Sequence, residues 1–490
     1  NNDEGNRLRI LLPAGFVITA LFLLFLLHNP YMSFKRMSVN LFILLLILLL
    51  AFPGRKRKYT CYAGILCFAV TFLELAYSSV TSYLAYNADK SPDNLPLLSE
   101  FYDEYKTIKE PVDCIKAYDK GIYRIEKDFS RSPNDPMLLD YIGLSHYSSC
   151  EKDEVKHFMQ RMGFRDTGIY AFYGQGSTAF ADCLLGVKYY ISRFDESYKP
   201  YTPFQKTGNY YIYYNPFSLP FAFSSDRRMR ELDIEENDIF ETQNDIASVL
   251  SGKEETLYIP ALYDRTDTED EIRYTIHISD RLPLYYYFDT EDSNSIRIFV
   301  NGEDRGPYFT DTNWNVYNAG LYDPGTELTV VLSRLGEKFS VTEECFYYEN
   351  SEAIGEWYES VFKDHRPAEI KIPESSRISF DIKAPDHSYI ILSIPYDKGW
   401  QLELDGERVE PEKVLDTLLA IPVGKSGDYK TSEDISGAEA SSNIEESGNE
   451  HHIEMKYIPE GFFPGIYFSI FGIILLMTNY YLTRRCNGHP

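Results

Sequence analysis

The five residues Tyr396, Asp397, Lys398, Gly399 and Trp400 bring together two aromatic rings, a carboxylate, an ammonium group and a flexible glycine. They lie between two strand-like segments, and their composition suits gripping a sugar or the membrane-proximal rim. Rings offer stacking faces, and the charged groups offer strong hydrogen bonds. The same residues also suit a structural role, with Trp400 a core residue at a strand start and Asp397 a turn former. Glu74 is the other candidate, because it sits inside an apolar stretch where a lipid-facing carboxylate is costly. It must face other helices or the interface. A polar lipid-linked substrate is one partner for it, and helix packing or interfacial anchoring is another.

Other reactive patterns are excluded. GQGS at 174–177 lacks the Lys-Ser/Thr of a phosphate loop, and neither GxSxG nor HExxH occurs. The acidic clusters 264–271 and 289–294 lack the spacing and glycine of an EF-hand and read as solvated loops. The nine histidines are scattered, so no metal site and no cofactor are expected. Cys114, Cys150, Cys183 and Cys345 fall in the large polar region without regular spacing, which permits disulfides without implying them.

These residues are carried by a membrane framework. Apolar stretches at 10–27, 39–52, 59–79 and 462–482 each approach the length needed to cross a hydrocarbon core of roughly 30 Å. The tetrad Arg55, Lys56, Arg57, Lys58 and the pair Arg484, Arg485 put the second turn and the C-terminus in the cytoplasm, and Arg7 and Arg9 keep the N-terminus there too. Lys35 and Arg36 in the short outer loop are outvoted. Residues 84–459 then lie outside the membrane. Residues 1–83 hold eight Lys/Arg against three Asp/Glu and residues 460–490 two against one, so the total of −26 leaves −32 on the outer region. Such a field disfavours nucleic acid and anionic lipid, and it keeps a large exposed domain soluble. Asn1 with no leader ahead of the first span reads as a chain that continues upstream.

Within the outer region, residues 84–230 mix helix and strand signals. The segment 95–118 reads as a helix interrupted at Pro111, 121–129 as a strand, and 137–149 as strand, turn and short helix. From about Glu254 the pattern is almost pure β, and it contains a repeat. Arg273 to Gly302 and Arg377 to Gly406 are both 29 residues, each ending in a hairpin dipeptide, Asn301-Gly302 and Asp405-Gly406. TELTVVLS closes the first copy and HHIEMKYI the second. Tandem β-sandwiches follow from this. Tyr285 to Tyr287 read as ordinary strand residues.

The expected organisation is three transmembrane helices (1–83), a mixed α/β region (84–230), a first sandwich (231–370), a second sandwich (371–459) with a disordered Ser/Glu-rich loop at 426–450, and a final helix with a short tail (460–490). The fold class is a polytopic α-helical membrane protein with a large extracytoplasmic α/β plus tandem β-sandwich region.

LLGVKYYI (184–191), YIYYNPFSLPFAF (211–223), SIPYDKGWQLELDGERV (393–409) and MKYIPEGFFPGIYFSIFGIILL (455–476), in that order and spacing, resemble the C-terminal half of bacterial YfhO family membrane proteins. The Ser/Glu insertion after Gly424 departs from the family pattern. The resemblance implies similarity to GT-C glycosyltransferases, which take a sugar from a polyprenyl-phosphate carrier, here for glycosylation of teichoic-acid-type cell-surface polymers. An acceptor hydroxyl attacks the anomeric carbon with a carboxylate as base and the lipid phosphate as leaving group. In that class the catalytic carboxylate lies in the first outer loop, which is expected upstream of this chain, so no catalytic residue is carried over. A non-enzymatic envelope protein binding glycan or a partner protein is the alternative.

Overall fold

The computed structural model describes residues 57–86 and 98–486 except 130, 174–175, 196–198, 236, 291–295, 308–314, 335–338, 363–370, 375–376 and 425–448. The expected spans 10–27 and 39–52, and nearly all of the expected loop 426–450, lie outside the described residues. The chain divides into two compact units, 1–103 and 104–490. In the first, the helix Arg57–Tyr86 carries the third expected span. In the second, the chain ends in the helix Phe462–Cys486. Among the described residues one stretch, Phe462–Leu482, is long and apolar enough to cross a membrane.

The helix Leu98–Tyr118 runs unbroken through Pro111, contrary to the expected interruption. Proline costs about 3 kcal/mol in a helix interior. Ile108, Val112 and Ile115 form a buried stripe that offsets this, at roughly 1.5–3 kcal/mol for each buried side chain. Val112 and Ile115 pack on Ile125, Tyr189, Ile191 and Ile212 of a four-stranded sheet. Its strand order is Arg124–Lys127, Val187–Ser192, Tyr210–Tyr214, Thr202–Thr207, the first pair being parallel. Residues 137–149 reverse the expected order. The short helix Asp135–Leu139 comes first, ending on left-handed Asp140 (φ 59°), and the strand His146–Tyr147 follows.

The repeat becomes two sandwiches of related topology. One sheet of the first runs Tyr263–Asp267, Glu271–His277, Glu327–Ser333, Arg297–Val300, Glu303–Pro307. The corresponding sheet of the second runs Lys371–Glu374, Arg377–Ala384, Asn449–Tyr457, Trp400–Leu404, Glu407–Val409. TELTVVLS and HHIEMKYI therefore occupy the same slot. Both hairpins turn through positive φ, 50° and 80° at Asn301-Gly302 and 54° and 80° at Asp405-Gly406.

The facing sheets draw their strands from different parts of the chain. In the first sandwich Leu284–Thr290 is flanked by Tyr317–Gly320 and Val341–Glu349. In the second, Tyr389–Pro395 is flanked by Leu418–Pro422 and by Ala222–Ser225, a strand lent by the preceding α/β segment. Ala222 joins the sandwich core, while Phe223 joins a larger core shared with the helices Ile239–Ser251 and Ser351–Phe362. The latter helix breaks the almost pure β pattern, and its buried Trp357 donates to Ala247 O at 3.0 Å. Tyr285, Tyr286 and Tyr287 are all buried, with Tyr286 facing the sandwich core and its two neighbours the larger one. Cys114, Cys150, Cys183 and Cys345 are free thiols.

Within the larger core, Asp182 accepts from Lys199 at 2.5 Å and from Tyr173 at 2.8 Å, and also from Ser177 and Tyr201. The Asp182 and Lys199 side chains are 0% and 1% exposed.

Candidate functional site

The loop 396–400 joins the strands Tyr389–Pro395 and Trp400–Leu404. Its carboxylate is fully engaged. Asp397 accepts from Gly399 N at 2.7 Å and from Lys152 Nζ at 2.6 Å. Burial pushes the Asp397 carboxyl up, but the Lys152 hydrogen bond with the Gly399 N–H outweighs it and holds the group below its ordinary value. Lys152 also donates to Tyr396 O at 3.1 Å. Gly399 is required because a Cβ there meets Ile458 O at 2.7 Å and the Tyr457 ring at 2.8 Å. Lys398 is exposed, whereas Tyr396 and Trp400 are half-buried. The Trp400 indole packs on the second sandwich core and lies 5.0 Å from the Tyr457 ring. Trp400 pairs in register with Tyr457, shortly before the helix Phe462–Cys486. The loop thus stands at the end of the sandwich from which the apolar helix departs. Glu74 is half-buried in the helix Arg57–Tyr86, in the other compact unit.

Lys152 leads to residues that the sequence did not single out. Just before it, His146–Tyr147 enters a three-stranded sheet with Tyr170–Phe172 and Arg165–Asp166. Alternation divides this small sheet into two unlike faces. On one face Tyr147 sits opposite Tyr170, with rings 4.9 Å apart. Tyr170 and Phe172 stack at 6.0 Å and 17°, and the Arg165 guanidinium lies 4.8 Å over Phe172. Tyr147 and Tyr170 are 45% and 41% exposed, an aromatic row left open to solvent.

The other face carries His146, Ala171 and Asp166, joined by the ladder register. His146 Nε2 meets Glu151 at 3.1 Å and Nδ1 meets Leu144 O at 3.0 Å. Both nitrogens therefore act as donors. The Glu151 hydrogen bond pushes the imidazole up to about 9. Burial, then the neighbouring Glu151, pushes the Asp166 carboxyl up to about 6. Glu151 Oε2 and Asp166 Oδ2 are buried with no hydrogen-bond donor of their own among the described residues, and repulsion from Glu151 adds to the effect of burial on Asp166. Among the described residues, no group of His, Cys, Asp and Glu is arranged to hold a metal ion.

What this geometry offers is binding chemistry, an exposed ring surface beside a clasped polar loop. The aromatic row had one legible signal, Tyr170 and Phe172 at strand spacing. Its partner Tyr147 lies too far away in the chain for periodicity to pair them.

Residues 2–429 match the family described as "Bacterial membrane protein YfhO". This chain belongs to that family. The match contains the loop 396–400, Lys152 and the aromatic row, whereas Tyr457 and the helix after it lie beyond it. The chain is also 23% identical over 543 aligned positions to "Uncharacterized protein YfhO" of Bacillus subtilis (strain 168). That alignment covers 98% of this chain and 57% of the relative, so the chain spans a little over half the length of that YfhO protein.

Proposed function

We propose that this chain is the C-terminal, acceptor-handling part of a YfhO-type membrane glycosyltransferase, one that moves a sugar from a polyprenyl-phosphate carrier onto teichoic-acid-type cell-surface polymers. In this reading the chain crosses the membrane several times, residues 84–459 are extracytoplasmic and the C-terminus is cytoplasmic. The observation that carries it is the exposed row Tyr147, Tyr170, Phe172, linked through Lys152 to a loop at the end of the sandwich nearest the apolar helix. Rings of this kind stack on the apolar face of a sugar. The loop, with Tyr396, Lys398 and Trp400 fixed by the Asp397 clasp, meets a lipid-linked donor where its headgroup leaves the membrane.

The second reading is an envelope protein that binds glycan without transferring a sugar. It is favoured by the ring row itself, which supplies a surface for binding and no reacting group.

Tyr147→Ala with Tyr170→Ala in the intact protein tests both. Loss of polymer glycosylation at unchanged protein abundance supports transfer. Loss of glycan binding with normal glycosylation supports the second reading, and no change in either refutes both. Orientation is tested separately. Asp304→Cys should react with an impermeant thiol reagent on intact cells, and Arg57→Cys should not.

A further inference from the structure

A cavity of about 210 Å³ lies where the α/β segment meets the first sandwich. The α/β segment lines it with Tyr173, Ser177, Tyr190 and Lys199, and the sandwich lines it with Tyr285 and residues 315–318. Two glycines fix the meeting. Gly163 and Gly176 have φ of 94° and 99°, and a Cβ on Gly176 would overlap the Gly163 carbonyl. The same carbonyl accepts from Val316 N at 2.9 Å, which seats 315–318 against the α/β segment. Gly176 and Ser177 belong to the GQGS stretch, so that stretch walls this cavity and forms no phosphate loop. Across the cavity, Tyr285 and Asn318 are ladder partners and share one face of their sheet.

The lining selects against a charged ligand. Among the described residues that line the cavity, Lys199 alone is charged. Its ammonium donates to Asp182 at 2.5 Å and to the Tyr173 hydroxyl at 2.9 Å, and it lies 4.9 and 5.4 Å from the Tyr173 and Tyr190 ring centres. An anion therefore meets a cation already neutralised, and a cation meets rings that Lys199 already occupies. What remains for a ligand is tyrosine rings, hydroxyls and side-chain amides, which suit the CH face and the hydroxyls of a neutral polyol. Asn318 Oδ1 accepts from Gly320 N at 2.7 Å, while its buried Nδ2 has no acceptor among the described residues. Size narrows the class further. The volume equals about seven waters at roughly 30 Å³ each and falls short of the roughly 300–1,000 Å³ of sites for larger ligands, so it admits one ring and not a chain.

We propose that this cavity binds a single uncharged, hydroxyl-rich ring, a monosaccharide or cyclitol, at a site separate from the row Tyr147, Tyr170, Phe172. It stands whether or not the chain transfers a sugar.

The test uses the full chain in detergent with glucose, galactose, mannose and myo-inositol as probes, read by saturation-transfer NMR and by amide hydrogen exchange. At least one probe should bind saturably and slow exchange in 315–320, leaving 389–422 unchanged. Asn318→Ala should weaken that probe by about fivefold, the worth of one net hydrogen bond. Tyr147→Ala with Tyr170→Ala should leave its binding intact, and inorganic phosphate should not compete. If no probe saturates, the cavity holds water alone and the proposal fails. It fails too if a disaccharide of the same sugar binds as tightly, if phosphate competes, or if the ring-row variant loses binding that Asn318→Ala keeps. Should Asn318→Ala not fold, exchange in the native chain decides, and a probe that binds without slowing 315–320 overturns the assignment. Intact probe binding, together with a ring-row variant that changes neither polymer glycosylation nor glycan binding, refutes the functional reading above and leaves this site standing.

Discussion

Replacing Phe223 by alanine tests whether the second sandwich depends on its borrowed strand. Ala222, Phe223, Ser224 and Ser225 pair with Leu392, Ile391, Ile390 and Tyr389. The Phe223 ring is 2% exposed and meets Phe362, which in turn contacts Trp357. Truncating a buried phenylalanine costs about 3–5 kcal/mol, transfer and cavity together. A comparable cost is a large share of the roughly 5–15 kcal/mol that holds a domain together. Because the strand lies between two cores, the loss should reach both. Urea unfolding in detergent, followed by tryptophan fluorescence, should show the lowered midpoint, since Trp357 sits two rings away. Limited proteolysis at matched urea should show earlier cleavage in 389–422 as well as in 210–250. Normal protection of 389–422 in Phe223→Ala, with loss confined to the α/β segment, would refute the dependence.

Three further outcomes are expected. His146 has a folded value of about 9 against an ordinary 6.5, so its stabilisation is full below the lower value and is lost as pH rises through the upper one. With the side chain 36% exposed, solvent screening reduces this to about 1–2 kcal/mol, and His146→Gln should flatten the urea midpoint across that window. Lys199→Met leaves Asp182 buried without its cation and should cost about 3–5 kcal/mol, part of it recovered by the double change with Asp182→Asn, which removes the charge and keeps an acceptor for the Tyr173, Ser177 and Tyr201 hydroxyls; if the double variant is no better than the single one in urea unfolding, the unpaired charge is not the cause. Gly399→Ala should cost about 1–3 kcal/mol by overpacking against the Ile458 carbonyl and Tyr457 ring, and an unchanged melting midpoint would show that the loop relaxes freely.

Much of the β architecture was legible in the chain because its causes are local. Positive φ at Asn301-Gly302 and Asp405-Gly406 follows from residue type, and equal spacing from each arginine to its turn glycine builds related sheets. Alternation marked the strands, and apolar length marked the final helix. What the tertiary structure alone decided is which surfaces meet. The strand Ala222–Ser225 carries no mark that it will complete a sheet with Tyr389–Pro395, because its alternation reports that two faces are buried and not against what. Pro111 argued for a break that the stripe Ile108, Val112, Ile115 overrides once a sheet is there to receive it. Within the candidate site, Asp397 was visible as chemistry, but its state depended on Lys152, 245 residues away. The ring row likewise needed Tyr147 placed opposite Tyr170. Such pairings are set by long-range packing, which sequence spacing does not encode.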